Sequence, residues 1–305
     1  MSAEPSASPS RPTRLRVVHR TEYRYSSPVS DGFTLVTLLP RPTPRQEVLS
    51  AQLIVDPAPD EREEAVDVFG NRQIRLAVHR PHRSLEVTAD SVVDIDPPSP
   101  AAGRWPTLAE AVELTRCATG PDALEVDPFL RPSRLAPRLA EIDAFAAPLA
   151  DPNLPLPDVA AGLSTLIHQA FRFDPDATDV STPLAEVMAG RHGVCQDFAH
   201  VGVSCARALG LAARYVSGYI ETSAPPGQAK LVGADASHAW CSVWAPGVGW
   251  TDFDPTNDQA PPPRHVTVAW ARDYADLSPL RGVLIGPVSG QELTVAVDVT
   301  PAPRP

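Results

Sequence analysis

Between Pro183 and Pro225 lie 41 residues without a proline, in a chain where 36 of 305 residues are proline. Proline lacks a backbone donor and clashes with the preceding helical turn, so it ends helices and is confined to strand edges. Punctuation this dense excludes a coiled coil, a bundle of long helices and a wide parallel sheet. It leaves room for short elements with prolines at their ends, and for one longer helix and a central strand inside the gap. Disorder throughout is excluded as well. Hydrophobic residues are 43% and charged residues 21% of the chain, close to globular values and enough to bury a core. The length predicts about two domains.

From Leu15 to Tyr25 apolar and aromatic residues fall on alternate positions, the period of a strand with one buried face. Similar runs follow at Phe33–Leu39, Val48–Val55, Ala65–Phe69, Arg72–Val78 and Ser84–Ile95, with Gly70-Asn71 as a turn signal between two of them. These predict an all-β, sandwich-like domain over 14–96, preceded by a disordered tail over 1–13. Residues 97–157 read as a linker with short helices at Thr107–Cys117 and Pro132–Ala147. A second unit, 158–300, opens with helical spacing at Val159, Leu163, Leu166, Ile167 and Ala170. Further helices are predicted over Thr182–Ala189, capped by Thr182, and over Val194–Leu209, ended by Gly210. Strands then follow at Ala212–Thr222, His238–Trp244, Trp250–Asp254 and Glu292–Val299. A helix cluster followed by an antiparallel sheet is α+β order.

The net charge of −11 argues against nucleic acid or an anionic membrane as a partner, since either calls for a basic field. Four cysteines in a chain of this length are no disulfide framework. With no apolar signal segment at the N-terminus and no apolar run of 18 residues, the expectation is a cytoplasmic protein. No phosphate-binding glycine loop appears, and no cofactor is expected. His192, Cys195 and His200 crowd like metal ligands, but they lack a Cys-x2-Cys pair and His200 falls off the helix face of Cys195, so no metal is expected.

The chemistry-bearing residues begin with Cys195, in the first turn of a predicted helix. Unpaired amides and the helix dipole there favour a thiolate; the bland alternative is a small core residue. Ser237-His238-Ala239-Trp240 leads a strand, and Gly249 to Thr256 supplies its hairpin partner. If 244 faces 250, then 240 faces 254, and His238 and Asp254 become diagonal neighbours on one face. Asp252 shares that face as a competing carboxylate. A carboxylate orienting an imidazole that serves a thiol is the arrangement of cysteine acyl-transfer enzymes.

The run Gly193-Val194-Cys195-Gln196-Asp197-Phe198-Ala199-His200, then Ala213 to Tyr219, Asp235 to Trp240, and Gly249-Trp250 through Asp254-Pro255-Thr256 together resemble the bacterial transglutaminase-like family of papain-like thiol enzymes. The similarity continues through His265 and Arg272-Asp273-Tyr274 to Gly282, and residues 14–96 resemble the β-rich domain that often precedes this core. The resemblance implies a papain-like, transglutaminase-like fold with Cys195 as nucleophile, His238 as base and Asp254 as orienting carboxylate. It implies a peptide or protein substrate attacked through a thioester. Hydrolysis is the leading expectation, amide transfer to an amine the alternative, and a silent peptide-binding module a third. Lys230, the sole lysine, makes the chain a poor amine acceptor for its own crosslinking. One oxyanion donor is expected from the Cys195 backbone. For the second, papain-like proteases carry glutamine six residues before the cysteine, where this chain has Ala189; Gln196, Tyr219 and Trp240 are the candidates.

Overall fold

The computed structural model of the protein describes residues 11–97, 104–222, 236–287 and 289–304. Six strands come first: β1 (Thr13–Val29), β2 (Asp31–Val36), β3 (Gln46–Asp56), β4 (Glu61–Val66), β5 (Arg72–Val78) and β6 (His82–Ile95). In β1, Leu15, Val17, His19, Thr21 and Tyr25 are buried and their neighbours less so, the alternation visible in the sequence. Next come helices α1 (Leu108–Arg116), α2 (Gly120–Leu130), α3 (Ala140–Ala146) and α4 (Leu156–Ala170). The two-residue strand β7 (Arg172–Phe173), helix α5 (Leu184–Gly190), strand β8 (His192–Gly193) and helix α6 (Cys195–Ala208) follow. The chain closes with β9 (Ala213–Ile220), β10 (Ala236–Ala245), β11 (Gly249–Phe253), β12 (His265–Ala271), β13 (Leu280–Ile285) and β14 (Gln291–Pro301).

The strands form two four-stranded sheets that make a sandwich, in the orders β14-β1-β6-β3 and β13-β2-β5-β4, and a third of order β11-β10-β9-β12. Between the first two sheets lie Tyr25, Val29, Val36, Leu53, Ile74, Leu76 and Val87. Helix α6 packs on the third sheet. There Gly202 sits so close to Cys241 that a Cβ would fall 2.6 Å from its sulfur. An α+β core beside a β-sandwich is the fold class expected from the sequence.

Several boundaries move. The terminal strand β14, expected to close the 158–300 unit, pairs with β1 from Leu15↔Pro301 to Tyr25↔Gln291, and β13 pairs with β2. The last two strands therefore complete the N-terminal sandwich. The 97–157 segment is no mere linker: Leu108, Ala111, Ile142 and Ala146 are buried in the same cluster as Phe198. A helix over Pro132–Ala147 shortens to α3, because Pro132 and Pro137 break its first half. Helix α5 is capped by Pro183, while the Thr182 hydroxyl accepts from the Asp179 amide at 2.9 Å. Helix α6 is buried from Gln196 to Ala206 on every side, not along one stripe, since α3, α4 and α5 cover what the sheet does not. Of the tail expected over 1–13, Thr13 already belongs to β1, and residues 1–10 lie outside the described residues. The loop Ser223–Gly233, read as a cleft border or a solvated connector, also lies outside them.

The sandwich holds the third sheet by its edge. Strand β12 is an outer strand, so one row of its backbone groups has no strand partner. Two side-chain amides from the sandwich fill that row. Gln46 accepts from Thr267 N at 2.8 Å and donates to Thr267 O at 2.7 Å. Asn71 accepts from Trp270 N at 3.0 Å and donates to Trp270 O at 2.8 Å. Arg41 stacks over the Trp270 ring at 3.3 Å, and Arg214 stacks nearby at 3.6 Å. Replacing Gln46 with Leu keeps the volume but strands buried Thr267 groups, at about 1–3 kcal/mol for each one left unpaired. Urea unfolding of Gln46→Leu is therefore expected to show a lower midpoint at an unchanged slope.

Candidate active site

The first turn of α6 is built by residues the sequence places around Cys195. Strands β7 and β8 pair in parallel, Arg172 with His192 and Phe173 with Gly193, which sets the chain entering the helix. Asp197, at the third helical position, reaches back to accept from Val194 N at 2.8 Å and from the Thr178 hydroxyl at 2.6 Å. Burial pushes the Asp197 carboxyl up, and these two bonds act against it. Gly193 is required by this contact, because a Cβ there would lie 2.4 Å from the carboxylate. Cys195 is thus the first residue of the helix, half-buried, with its amide among those that helix geometry leaves without an internal acceptor.

The β10–β11 hairpin has the predicted register, Trp244 opposite Trp250. It brings His238 and Asp254 together: Nε2 of His238 meets Oδ2 of Asp254 at 2.8 Å, with both side chains buried. The Cys195 thiol is within hydrogen-bonding reach of His238. Nε2 is taken by Asp254, so Nδ1 is the nitrogen left for sulfur. Asp252, the competing carboxylate, lies opposite Ser242 and faces Arg214 and Arg45.

Three further residues join the carboxylate. Asn257 donates its side-chain amide to Oδ2 at 2.7 Å, and its backbone and that of Thr256 donate to Oδ1 at 3.3 and 3.0 Å. His265, from β12, places its Nε2 3.0 Å from the same Oδ2. The sequence carried a signal for Asn257, since Asp-Pro-Thr-Asn is a turn in which the aspartate side chain caps following amides. Nothing in the sequence assigned His265 a partner.

Charge follows from these contacts. Burial alone raises the Asp254 carboxyl, but hydrogen bonds from His238, His265 and Asn257 reverse this and hold it well below the usual carboxylate range. Burial opposes protonation of His238, yet its bonds to Asp254 and Cys195 outweigh it and bring its pKa to about 10. His238 is an imidazolium and Asp254 a carboxylate at neutral pH.

The other candidates take different places. The Tyr219 hydroxyl donates to the Leu38 carbonyl at 3.3 Å and ties the third sheet to the sandwich. Trp240 is fully buried, lies 6.1 Å from His238 in a stacked arrangement and edge-on to His265 at 5.2 Å. Its indole Nε1 has no hydrogen-bond partner among the described residues. Gln196, next to the thiol, donates to Val180 O at 3.4 Å. His200 is buried and accepts from Tyr274 N at 3.2 Å; burial lowers its pKa to about 4, so it is neutral.

His238, Asp254 and His265 each offer a donor atom within 4.8 Å of the others, a grouping with the chemistry of a transition-metal site. Metal-bound imidazoles ordinarily donate their second N–H to an acceptor. Nδ1 of His265 is buried without one, and Nδ1 of His238 is the nitrogen left for the thiol. The cluster is a better hydrogen-bond network than a metal cage.

Residues 15–94 match the bacterial transglutaminase-like N-terminal region, and residues 143–255 the transglutaminase-like superfamily. An uncharacterized protein of Mycobacterium tuberculosis is 41% identical over 294 residues, which cover 94% of this chain and 93% of that one. The chain belongs to the bacterial transglutaminase-like family. An uncharacterized protein of Mycobacterium leprae is 31% identical over 289 residues, covering 94% of this chain and 98% of that protein. A protein-glutamine gamma-glutamyltransferase of Pseudomonas aeruginosa is 35% identical over 106 residues, 34% of this chain and 16% of that protein. Among solved structures, a candidate cysteine protease from Cytophaga hutchinsonii superposes with a TM-score of 0.74 at 22% identity, over 97% of this chain and 93% of that one. That likeness shows a shared fold, the thiol-enzyme fold of the transglutaminase-like family.

The raised His238 pKa makes stability depend on pH. The folded state binds a proton more tightly than the unfolded chain, whose histidine titrates near ~6.5. The stabilisation is complete below that value and is lost as pH rises toward the folded value of about 10. Urea midpoints of the wild type are expected to fall across this window, and His238→Gln to flatten the slope. Gly193→Ala, which displaces Asp197, is expected to cost about 1–3 kcal/mol by overpacking and to lower the thermal midpoint.

Proposed function

We propose that the protein is a cysteine-nucleophile enzyme that hydrolyses peptide or isopeptide amide bonds through a thioester acyl-enzyme. The observation carrying this reading is an imidazole held between a buried carboxylate at 2.8 Å and a half-buried thiol at a helix N-terminus. With the proton of the pair on the His238 imidazolium, the Cys195 sulfur attacks the carbonyl carbon. The Cys195 backbone N–H donates to the oxyanion that forms. The C–N bond breaks as the His238 imidazolium passes its proton to the leaving amine. Water, losing a proton to His238, then attacks the thioester carbonyl. The C–S bond breaks, releasing the acid, and His238 is again the imidazolium beside the sulfur. Asp254 holds the imidazole in the tautomer and orientation both steps require.

Amine in place of water in the second step gives transglutaminase-type transfer. The partial match to the Pseudomonas aeruginosa gamma-glutamyltransferase favours this second reading. Hydrolysis leads because water needs no dedicated acceptor subsite at a half-exposed sulfur. A silent peptide-binding module has no use for an imidazole placed between thiol and carboxylate. The cytoplasm is the setting proposed. Among the described residues no helix is long and apolar enough to cross a membrane.

Iodoacetamide labelling tests the nucleophile. Cys195 is expected to react ahead of Cys117, Cys205 and Cys241, and His238→Ala to slow that reaction. Equal labelling of all four, indifferent to His238→Ala, would sink the assignment. Turnover of any cleaved peptide is expected to fall ~10²–10⁴-fold in His238→Ala. Mass analysis of a peptide library, incubated with and without a primary amine, separates the reactions: amine adducts replacing cleaved peptides would establish transfer.

A further inference from the structure

We propose that His265 is a positioning residue that shares the Asp254 carboxylate with His238 and thereby limits how tightly His238 holds its proton. This rests on the thiol–imidazole reading above and deepens it.

Oδ2 of Asp254 takes three side-chain donors: Asn257 at 2.7 Å, His238 at 2.8 Å and His265 at 3.0 Å. The carboxylate does not need His265 to stay in place, because Asn257 and two backbone amides from its own turn already fix both oxygens. Nor is His265 explained by packing. Its ring sits edge-on to Trp240 and His238, contacts that a phenyl ring would make equally well. An imidazole there leaves Nδ1 buried with no partner, a cost that phenylalanine would avoid. What only the imidazole supplies is the Nε2–H on Oδ2. With Nε2 as donor, His265 and His238 draw on the same carboxylate oxygen. One carboxylate charge then serves two imidazole donors.

A second donor on an oxygen draws down the basicity available to the first. Without His265, Asp254 would give its full charge to His238, and the imidazolium would become a weaker acid. Proton delivery to the leaving amine would then be harder. The groups facing Asp254 are His238 and Cys241 from β10, His265 from β12 and, through His238, Cys195 from α6. Cys241 points to the Ala199 carbonyl, and burial holds it as a thiol. His238 is therefore the group whose titration reports the change. Strand β12 carries His265, and Gln46 fixes that strand two residues away at Thr267.

The test is the pH profile of Cys195 alkylation by iodoacetamide in wild type, His265→Phe and His265→Gln. His265→Phe is expected to move the His238 limb to higher pH by about one unit, the size of effect a hydrogen bond to a charged group produces. His265→Gln, which keeps an N–H in reach of Oδ2, should restore the wild-type profile. A limb that stays put would overturn the proposal. A limb that moves down would also overturn it, showing that His265 merely holds Asp254 in place. If His265→Phe fails to fold, nitrogen-15 NMR of the wild-type histidines, assigned with His265→Gln, decides instead. Nε2 of His265 should carry a proton bonded to Asp254 throughout; an Nε2 without a proton would refute the idea. Failure of the wider reading looks different, since alkylation would then be indifferent to His238→Ala.

Discussion

A single buried negative charge organises the catalytic half of this molecule. Asp254 sits fully buried, where an unpaired carboxylate would carry a penalty of several kcal/mol. It persists as an ion because every nearby element sends it a donor. β10 sends His238, β12 sends His265, and the turn after β11 sends Asn257 and two amides. Its backbone carbonyl also accepts from Ser164 of α4 at 2.9 Å. Removing the charge would orphan donors in three places at once. The same convergence that makes the ion tolerable makes His238 an imidazolium, so the folding constraint and the chemistry share one set of bonds.

That network in turn leans on a domain junction. β12 is an edge strand, and a bulge between Thr267 and Ala269 further loosens its pairing with β9. The side chains of Gln46 and Asn71 each supply one donor and one acceptor, standing in for a missing neighbouring strand at Thr267 and Trp270. Amide side chains suit this role because they offer both kinds of group at the spacing of a peptide unit. The sandwich thus protects an exposed edge and steadies the strand that carries His265. In this arrangement the N-terminal domain is part of the site's support.

The legible parts of this fold were those governed by local periodicity. Alternation exposed β1, β3 and β6, and helical spacing from Val159 to Ala170 marked α4. The hairpin register could be derived because one aligned pair, Trp244 with Trp250, fixes every other pair by a period of two. The illegible parts depend on long-range partners. Helix α2 was hidden by Pro128 within it, which reads as a break. That β13 and β14 return to the sandwich cannot be read from their own residues, since pairing belongs to topology. His265 was visible as a residue, but its role depends on two strands meeting at one oxygen.

The prolines and the topology lead to one mechanical conclusion. The third sheet and its helices are inserted between β6 and β13, so the chain leaves the sandwich near Asp96 and re-enters it near Leu280. Both ends of the insert are held by strands of the sandwich, β6 between β1 and β3 in one sheet and β13 beside β2 in the other. Closing a loop this long costs little more than closing one half its length, about 0.6 kcal/mol per doubling. Anchoring the insert is therefore cheap in entropy, and its rigidity has to come from within. The proline-free stretch meets that need. It provides the unbroken helix α6, buried over eleven residues, with its dipole directed at Cys195. Strand β9 follows within the same stretch, flanked on both sides by β10 and β12. Prolines elsewhere end elements or, like Pro128 in α2, interrupt them, and their absence here preserves the backbone donors on which the nucleophile depends.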